Sequence, residues 1–140
     1  MKFSPHVRYA VRVLFEIEKQ GTYLPLSVLS ERTGISFRAV EYVHSVLKAH
    51  GITDSVKGQK GGIRLARPLT QVNAGELVVI FDGGIEFSVC GGKISPTCGK
   101  KSLCRTDHIC EEISQRMLEI LLETPLSSIL APSFDDEPGL

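Results

Sequence analysis

The stretch SERTGISFRAV, residues 30–40, closes off most backbone choices within a few positions. Gly34 is placed to stop a helix, because glycine readily takes the left-handed conformation that follows a last helical turn. Ser36, two residues on, is placed to start the next helix, its hydroxyl accepting a first-turn backbone N–H. SVLSERT before Gly34 reads as a short helix and residues 36–50 as a longer one, with Gly51 just past its end. Two helices joined across so short a turn form a helix-turn-helix. A further helix precedes them. Ser4 and Pro5 mark its start, Val7, Ala10, Val11, Leu14 and Ile17 recur at helical spacing, and Gly21 lies at its end.

In ITDSVKGQKGGIRLARP, residues 52–68, two short β-branched runs flank GQKGG, and Pro68 stops the second run. This reads as a hairpin with a loose, glycine-rich tip. A hairpin directly after a helix-turn-helix makes a winged helix, so the expected fold class is mainly α with a small β-hairpin. The net charge of zero conceals an asymmetry that fits this reading. Residues 1–68 carry eleven Lys or Arg against five acids, a balance of +6, and residues 69–140 carry five against eleven, a balance of −6. Such a division suits a chain whose first part faces a polyanion.

Helical spacing turns Phe37, Val40, Val43 and Leu47 of the third helix inward and leaves Arg38, Glu41, His44, Ser45, Lys48 and His50 outside. The candidate DNA contacts are therefore Ser36, Arg38, Glu41, His44 and Lys48 on this helix, with Lys57, Lys60 and Arg64 on the wing. Residues near the start of such a helix reach base edges, while flanking cations neutralise phosphate. Arg38 suits the O6 and N7 of guanine, and Glu41 can accept from cytosine N4. A carboxylate near phosphate costs affinity, so Glu41 is either a discriminator between bases or an ordinary surface acid.

Past Pro68, Asn73 with Glu76 three residues later forms a capping-box-like start for a helix reaching about Asp82. The segment CGGKISPTCGKKSLCRTDHIC, residues 90–110, then holds all four cysteines. Arg8, Arg12, Glu16 and Glu18 interrupt the amino-terminal apolar residues, which leaves no secretory h-region, and no run of eighteen apolar residues offers a membrane span. The expected location is the cytoplasm, where clustered thiols read as metal-binding or redox-active before they read as disulfides. Structural zinc sites favour close cysteine pairs, which this segment lacks. Intervals of seven, five and five residues suit a loop around a larger inorganic core, and Lys93, Lys100 and Lys101 would offset its negative charge. Iron–sulfur ranks first, a thiol redox switch second and zinc third.

A long helix begins between Cys104 and Asp107 and runs to Thr124, before Pro125. Its apolar stripe, Ile109, Ile113, Met117, Ile120 and Leu121, is free either to pack on its own domain or to pair with a second copy. A short apolar segment, LSSIL, and an acidic, proline-containing tail expected to be disordered close the chain.

SPHVRYAVRVLFEI, PLSVLSERTGIS, the helix leading to LKAHGI and the wing VKGQKGGIRLARP together resemble the IscR-type regulators, the Rrf-two family, over roughly residues 2–130. The resemblance implies a small winged-helix transcription factor that dimerises through its long C-terminal helix. It also implies an iron–sulfur cluster held by three loop cysteines, which Cys90, Cys98 and Cys104 match in the pattern C-x7-C-x5-C. The second interval equals that of the iron–sulfur cluster regulator, while the first is longer by two. That regulator places a histidine three residues after its third cysteine. This chain has Asp107 there, then His108, then Cys110. His108 is favoured as fourth ligand over Cys110, which continues the apolar stripe, and a 2Fe–2S cluster ranks above 4Fe–4S.

The reading is a homodimeric, cluster-sensing regulator of transcription, a repressor, with no catalytic residues assigned. Residues 1–68 are expected to bind operator DNA, 69–130 to carry the linker helix, cysteine loop and dimerisation helix, and 131–140 to be a tail. A thiol-responsive repressor without a cluster, or a small iron–sulfur electron carrier, are the alternatives.

Overall fold

The structure, a computed structural model, describes residues 2–87 and 105–129. Along it run α1 (Pro5–Gln20), α2 (Leu26–Thr33), α3 (Phe37–Ala49), the strands β1 (Thr53–Val56) and β2 (Gly62–Leu65), a short 3-10 turn at Leu69–Gln71, α4 (Ala74–Asp82), α5 (Arg105–Leu122) and α6 (Leu126–Ile129). The tail over 131–140 lies outside the described residues.

The expected helix boundaries are present with their chemistry. Ser4 Oγ accepts from the Val7 N–H at 3.3 Å at the start of α1, and Ser36 Oγ accepts from the Ala39 N–H at 3.3 Å at the start of α3. Gly34 takes the left-handed conformation, φ 68°, and its amide donates to the Ser30 carbonyl at 3.0 Å. Side chains tighten the same turn. Ser30 Oγ donates to the Ile35 carbonyl and Thr33 Oγ1 to the Leu29 carbonyl, each at 2.6 Å.

Two apolar clusters hold the helices together. One gathers Val13 and Ile17 of α1, Leu24, Leu29, Ile35, Val40 and Ile63. The other gathers Ala10 and Leu14 of α1, Val43 and Leu47 of α3, Ile52, Leu69, Val72, Leu77 and Leu126. The second cluster joins residues on both sides of position 68. Each fully buried Leu or Ile contributes roughly 1.5–3 kcal/mol, so the return of Leu126 to this core after the long α5 is a firm anchor. Backbone bonds secure it, Leu126 N–H to the Val72 carbonyl at 2.8 Å and Ala74 N–H to the Thr124 carbonyl at 3.0 Å. Just upstream, α4 and α5 cross with backbones nearly touching. A Cβ at Gly75 would stand 2.6 Å from the Leu122 nitrogen and 2.9 Å from the Leu121 carbonyl carbon.

Four details differ from the sequence reading. Val13, not Val11, is fully buried on α1, because the helix is pressed between α2, α3 and α4 and buries a wider stripe. Phe37 is half exposed rather than inward, since it opens α3 at an edge that no described residue covers. The Asn73 side chain caps α4 by accepting from the Glu76 N–H at 2.8 Å, but the Glu76 carboxylate turns away from the cap to pair with Arg67. The guanidinium is the stronger partner, charge-assisted and half-buried.

The fourth detail concerns the wing. β1 and β2 pair antiparallel, with Asp54 opposite Arg64 and Ser55 opposite Ile63. Leu24 adds a third, one-residue rung to β2, exchanging bonds with Ile63 at 2.9 and 2.7 Å. Gly62 permits this approach, because a Cβ there would lie 2.3 Å from the Leu24 carbonyl oxygen. The glycine pair is thus a seat for the chain entering α2 as well as part of a turn. No described helix is long and apolar enough to cross a membrane.

Candidate nucleic-acid interface

The N-terminal half of α3 keeps one face open to solvent. Ser36, Arg38 and Glu41 are all exposed, and with Tyr42, Ser45 and His6 they border an open recess of about 740 Å³. His6 comes from the first turn of α1 and lies against Tyr42, ring centroids 4.9 Å apart, with Tyr9 and Phe81 each at 6.4 Å. The sequence reading brings Ser36, Arg38 and Glu41 to this face but omits Tyr42 and His6. Tyr42 is four residues beyond Arg38, one helical turn on the same side, so its spacing carried the signal. His6 is brought in by tertiary packing alone.

His44 requires a correction. Counted among the outward residues of α3, it is only 8% exposed. Its Nδ1 lies 3.0 Å from Thr53 Oγ1 and its Nε2 2.9 Å from Ser55 Oγ, so β1 covers the helix face on which it sits. Burial holds its ring below the ordinary histidine range, the Lys48 ammonium lowers it further, and Asp54 partly opposes them. Lys48 is exposed as expected, and its Nζ donates to the same Ser55 Oγ at 3.1 Å.

On the wing, Lys57 and Lys60 are exposed at the tip between the strands. Arg64 is exposed too, but its guanidinium is shared with Asp54 across the hairpin at 3.2 Å. The Asp54 carboxyl is held below its usual range, first by the Ser55 backbone N–H and then by Arg64. Such an exposed pair is weak and screened, so a phosphate can compete for Arg64. Exposed cations on both α3 and the wing can neutralise phosphate, while Arg38 and Glu41 are free to meet base edges.

Cys90, Cys98 and Cys104 lie outside the described residues. α5 begins at Arg105, which puts His108 in its first turn with an exposed side chain, while Cys110 is half-buried. The Ser114 hydroxyl bonds the Cys110 carbonyl at 2.7 Å and receives the Phe87 N–H at 3.1 Å, tying the chain before the cysteine segment to α5. Along α5, Ile109 is 56% exposed, Ile113 37% and Ile120 63%, with Met117 and Leu121 half-buried. Most of the stripe therefore has no cover within the described residues.

The comparisons with known proteins agree with this geometry. The family described as Rrf2, iron-dependent transcriptional regulator, matches residues 3–132. The chain is 29% identical over 133 residues to the HTH-type transcriptional regulator IscR of Vibrio vulnificus, a span of 94% of this chain and 78% of that one. It is 28% identical over 132 residues to IscR of Escherichia coli O1:K1 / APEC, covering 93% and 80%. Among solved structures, IscR of T. potens superposes with a TM-score of 0.74 at 22% identity, over 100% of this chain and 93% of that one. CymR, the global cysteine regulator of B. subtilis, gives 0.73 at 20% identity, over 94% and 97%. The two likenesses establish the winged-helix fold.

Proposed function

Because this chain belongs to the Rrf2 family of transcriptional regulators, we propose that it is a cytoplasmic homodimeric repressor of the IscR type, governed by an iron–sulfur cluster. The observation that carries the DNA side is the exposed start of α3, with Arg38 and Glu41 bordering one recess, beside a wing that offers Lys57 and Lys60. Arg38 and Glu41 read base edges, Ser36 orders the first turn of α3, and Lys48, Lys57, Lys60 and Arg64 neutralise phosphate. Residues 1–68 form the DNA-binding part and 69–130 the dimerising and sensing part. Two copies joined along the uncovered stripe of α5 would present two α3 helices to half-sites about one DNA turn apart.

The donor set fits an iron–sulfur cluster. Three thiolates from Cys90, Cys98 and Cys104 are soft ligands, and His108 offers an exposed ring in the first turn of α5. Cys110, half-buried on the stripe, packs as a small apolar residue. A bound 2Fe–2S cluster would supply a charge and a redox state that follow iron supply and oxidation. The chain's own part is to fix His108 and the loop ends, through the Ser114 bonds to Phe87 and Cys110, to the helix that joins the two copies.

The test is anaerobic purification followed by an absorption spectrum and assays for iron and sulfide. Cys90→Ala, Cys98→Ala and Cys104→Ala should each lose the iron, Cys110→Ser should keep it, and His108→Ala should assemble poorly or shift the potential. A Cys110→Ser protein as empty as Cys104→Ala would make the site all-cysteine. Wild-type protein with neither iron nor sulfide would leave a thiol switch on the same cysteines.

A further inference from the structure

His44 is the one buried ionisable side chain among the described residues, and the DNA reading above gives it no contact with the duplex. It sits where α3 meets β1. Thr53 and Ser55, two apart on β1, turn their hydroxyls to the same side, and His44 and Lys48, four apart on α3, do likewise. The four groups form a chain: Lys48 Nζ to Ser55 Oγ at 3.1 Å, Ser55 Oγ to His44 Nε2 at 2.9 Å, His44 Nδ1 to Thr53 Oγ1 at 3.0 Å. A hydroxyl both donates and accepts, so each ring nitrogen is matched whichever of them carries the proton.

This chain of bonds joins two parts that must meet DNA together. α3 carries the base-reading side chains, and β1 leads directly into the wing tip with Lys57. We propose that His44 is a positioning residue for DNA binding, its ring tying α3 to the root of the wing through Thr53 and Ser55 and fixing Lys48 beside it, so that helix and wing meet the duplex as one preset surface. The proposal rests on the DNA-binding reading. Ordering these groups in the free protein removes entropy that association would otherwise lose, which raises affinity without adding a contact. Loss of one bond in the chain leaves a buried polar atom unmatched and lets helix and wing move separately.

The test begins with wild-type protein enriching a duplex from a random-sequence pool. Affinities for that duplex are then measured over a range of salt for wild type, His44→Phe, Ser55→Ala, the double variant and Ser55→Thr. His44→Phe and Ser55→Ala should each bind about tenfold more weakly, about 1.4 kcal/mol, with the salt slope unchanged because no cation is removed. The double variant should lose about tenfold as well, not a hundredfold, since both changes break one link. Ser55→Thr, which keeps the hydroxyl, should bind as wild type does. Ser55 is only half-buried, so Ser55→Ala carries the test even if His44→Phe does not fold. Wild-type affinity in Ser55→Ala, an additive hundredfold loss in the double variant, or a salt slope lowered by one in either single variant would each overturn the positioning role. A wild-type protein that enriches no duplex overturns the DNA-binding reading itself, and this inference with it.

Discussion

Gly62→Ala isolates the contact by which the wing is seated on the body. Gly62 is not in the left-handed region, so alanine suffers no backbone penalty there and only space is at issue. The added Cβ would lie 2.3 Å from the Leu24 oxygen, 2.4 Å from its carbonyl carbon and 2.7 Å from the Pro25 nitrogen. All three are backbone atoms and none can rotate away. Reaching ordinary contact requires the two chains to part by about 1 Å, more than the paired Leu24–Ile63 bonds of 2.9 and 2.7 Å tolerate. Two lost backbone bonds amount to about 1–3 kcal/mol. Restricting the unfolded chain returns about 0.4–1 kcal/mol, which leaves a net destabilisation of about 1–2 kcal/mol. Urea unfolding followed by circular dichroism should show the midpoint falling with the slope unchanged. Affinity for DNA should fall as well, because the wing loses its seat beside α2. An unfolding midpoint equal to that of wild type would show that the Leu24 rung does not constrain the hairpin.

Met117→Lys should place a charge in the seam between two α5 helices, and desolvating an unpaired ammonium there costs several kcal/mol. Sedimentation should show monomers with lost affinity for DNA, whereas an unweakened dimer would assign the stripe to its own domain. Replacing Lys57 and Lys60 with alanine should weaken binding to every duplex and lower the salt slope by about one unit per lost phosphate contact. Arg38→Ala should instead reduce discrimination between the selected duplex and random DNA by about 1–3 kcal/mol, and equal losses on both would remove it from the base readers. His44 gives stability a pH dependence with a definite sign. Its folded-state value lies below the ordinary 6.5, so the unfolded chain takes up the proton first, and the stability held above pH 6.5 is lost as pH falls from there toward the folded-state value. Thermal unfolding across that window should show a decline in wild type that His44→Phe lacks.

What the sequence made legible was local. Gly34 and Ser36 determine the turn between α2 and α3 through bonds spanning four residues or fewer, and glycine, lysine and β-branched residues mark the hairpin in a single stretch. The Leu24 rung joins segments far apart in the chain, and one residue before Pro25 shows no strand pattern. His44 was misplaced because histidine at the border of an apolar face suits either side. The deciding fact lies on another element, where Thr53 and Ser55 present hydroxyls at the right spacing. Glu76 illustrates the same limit, since its spacing from Asn73 is that of a capping box while Arg67 is the better partner in space. Cys90, Cys98 and Cys104 lie outside the described residues, and the sequence reading of His108 against Cys110 depends on where α5 begins. α5 starts at Arg105, with His108 exposed in its first turn and Cys110 half-buried.

The close crossing at Gly75 gives α5 the mechanics of a lever. Eighteen residues of helix make an arm of about 27 Å, from the crossing at Leu122 to Arg105, the residue after Cys104. Over that length a push of about 1 Å at Arg105 is a rotation of roughly two degrees at the crossing. At Gly75 the backbone of α5 comes close at Leu121 and Leu122, beside the Leu122 side chain, which leaves little slack between the two helices. A turn of α5 there would bear directly on α4, whose Leu77 lies in the core shared with α1 and α3.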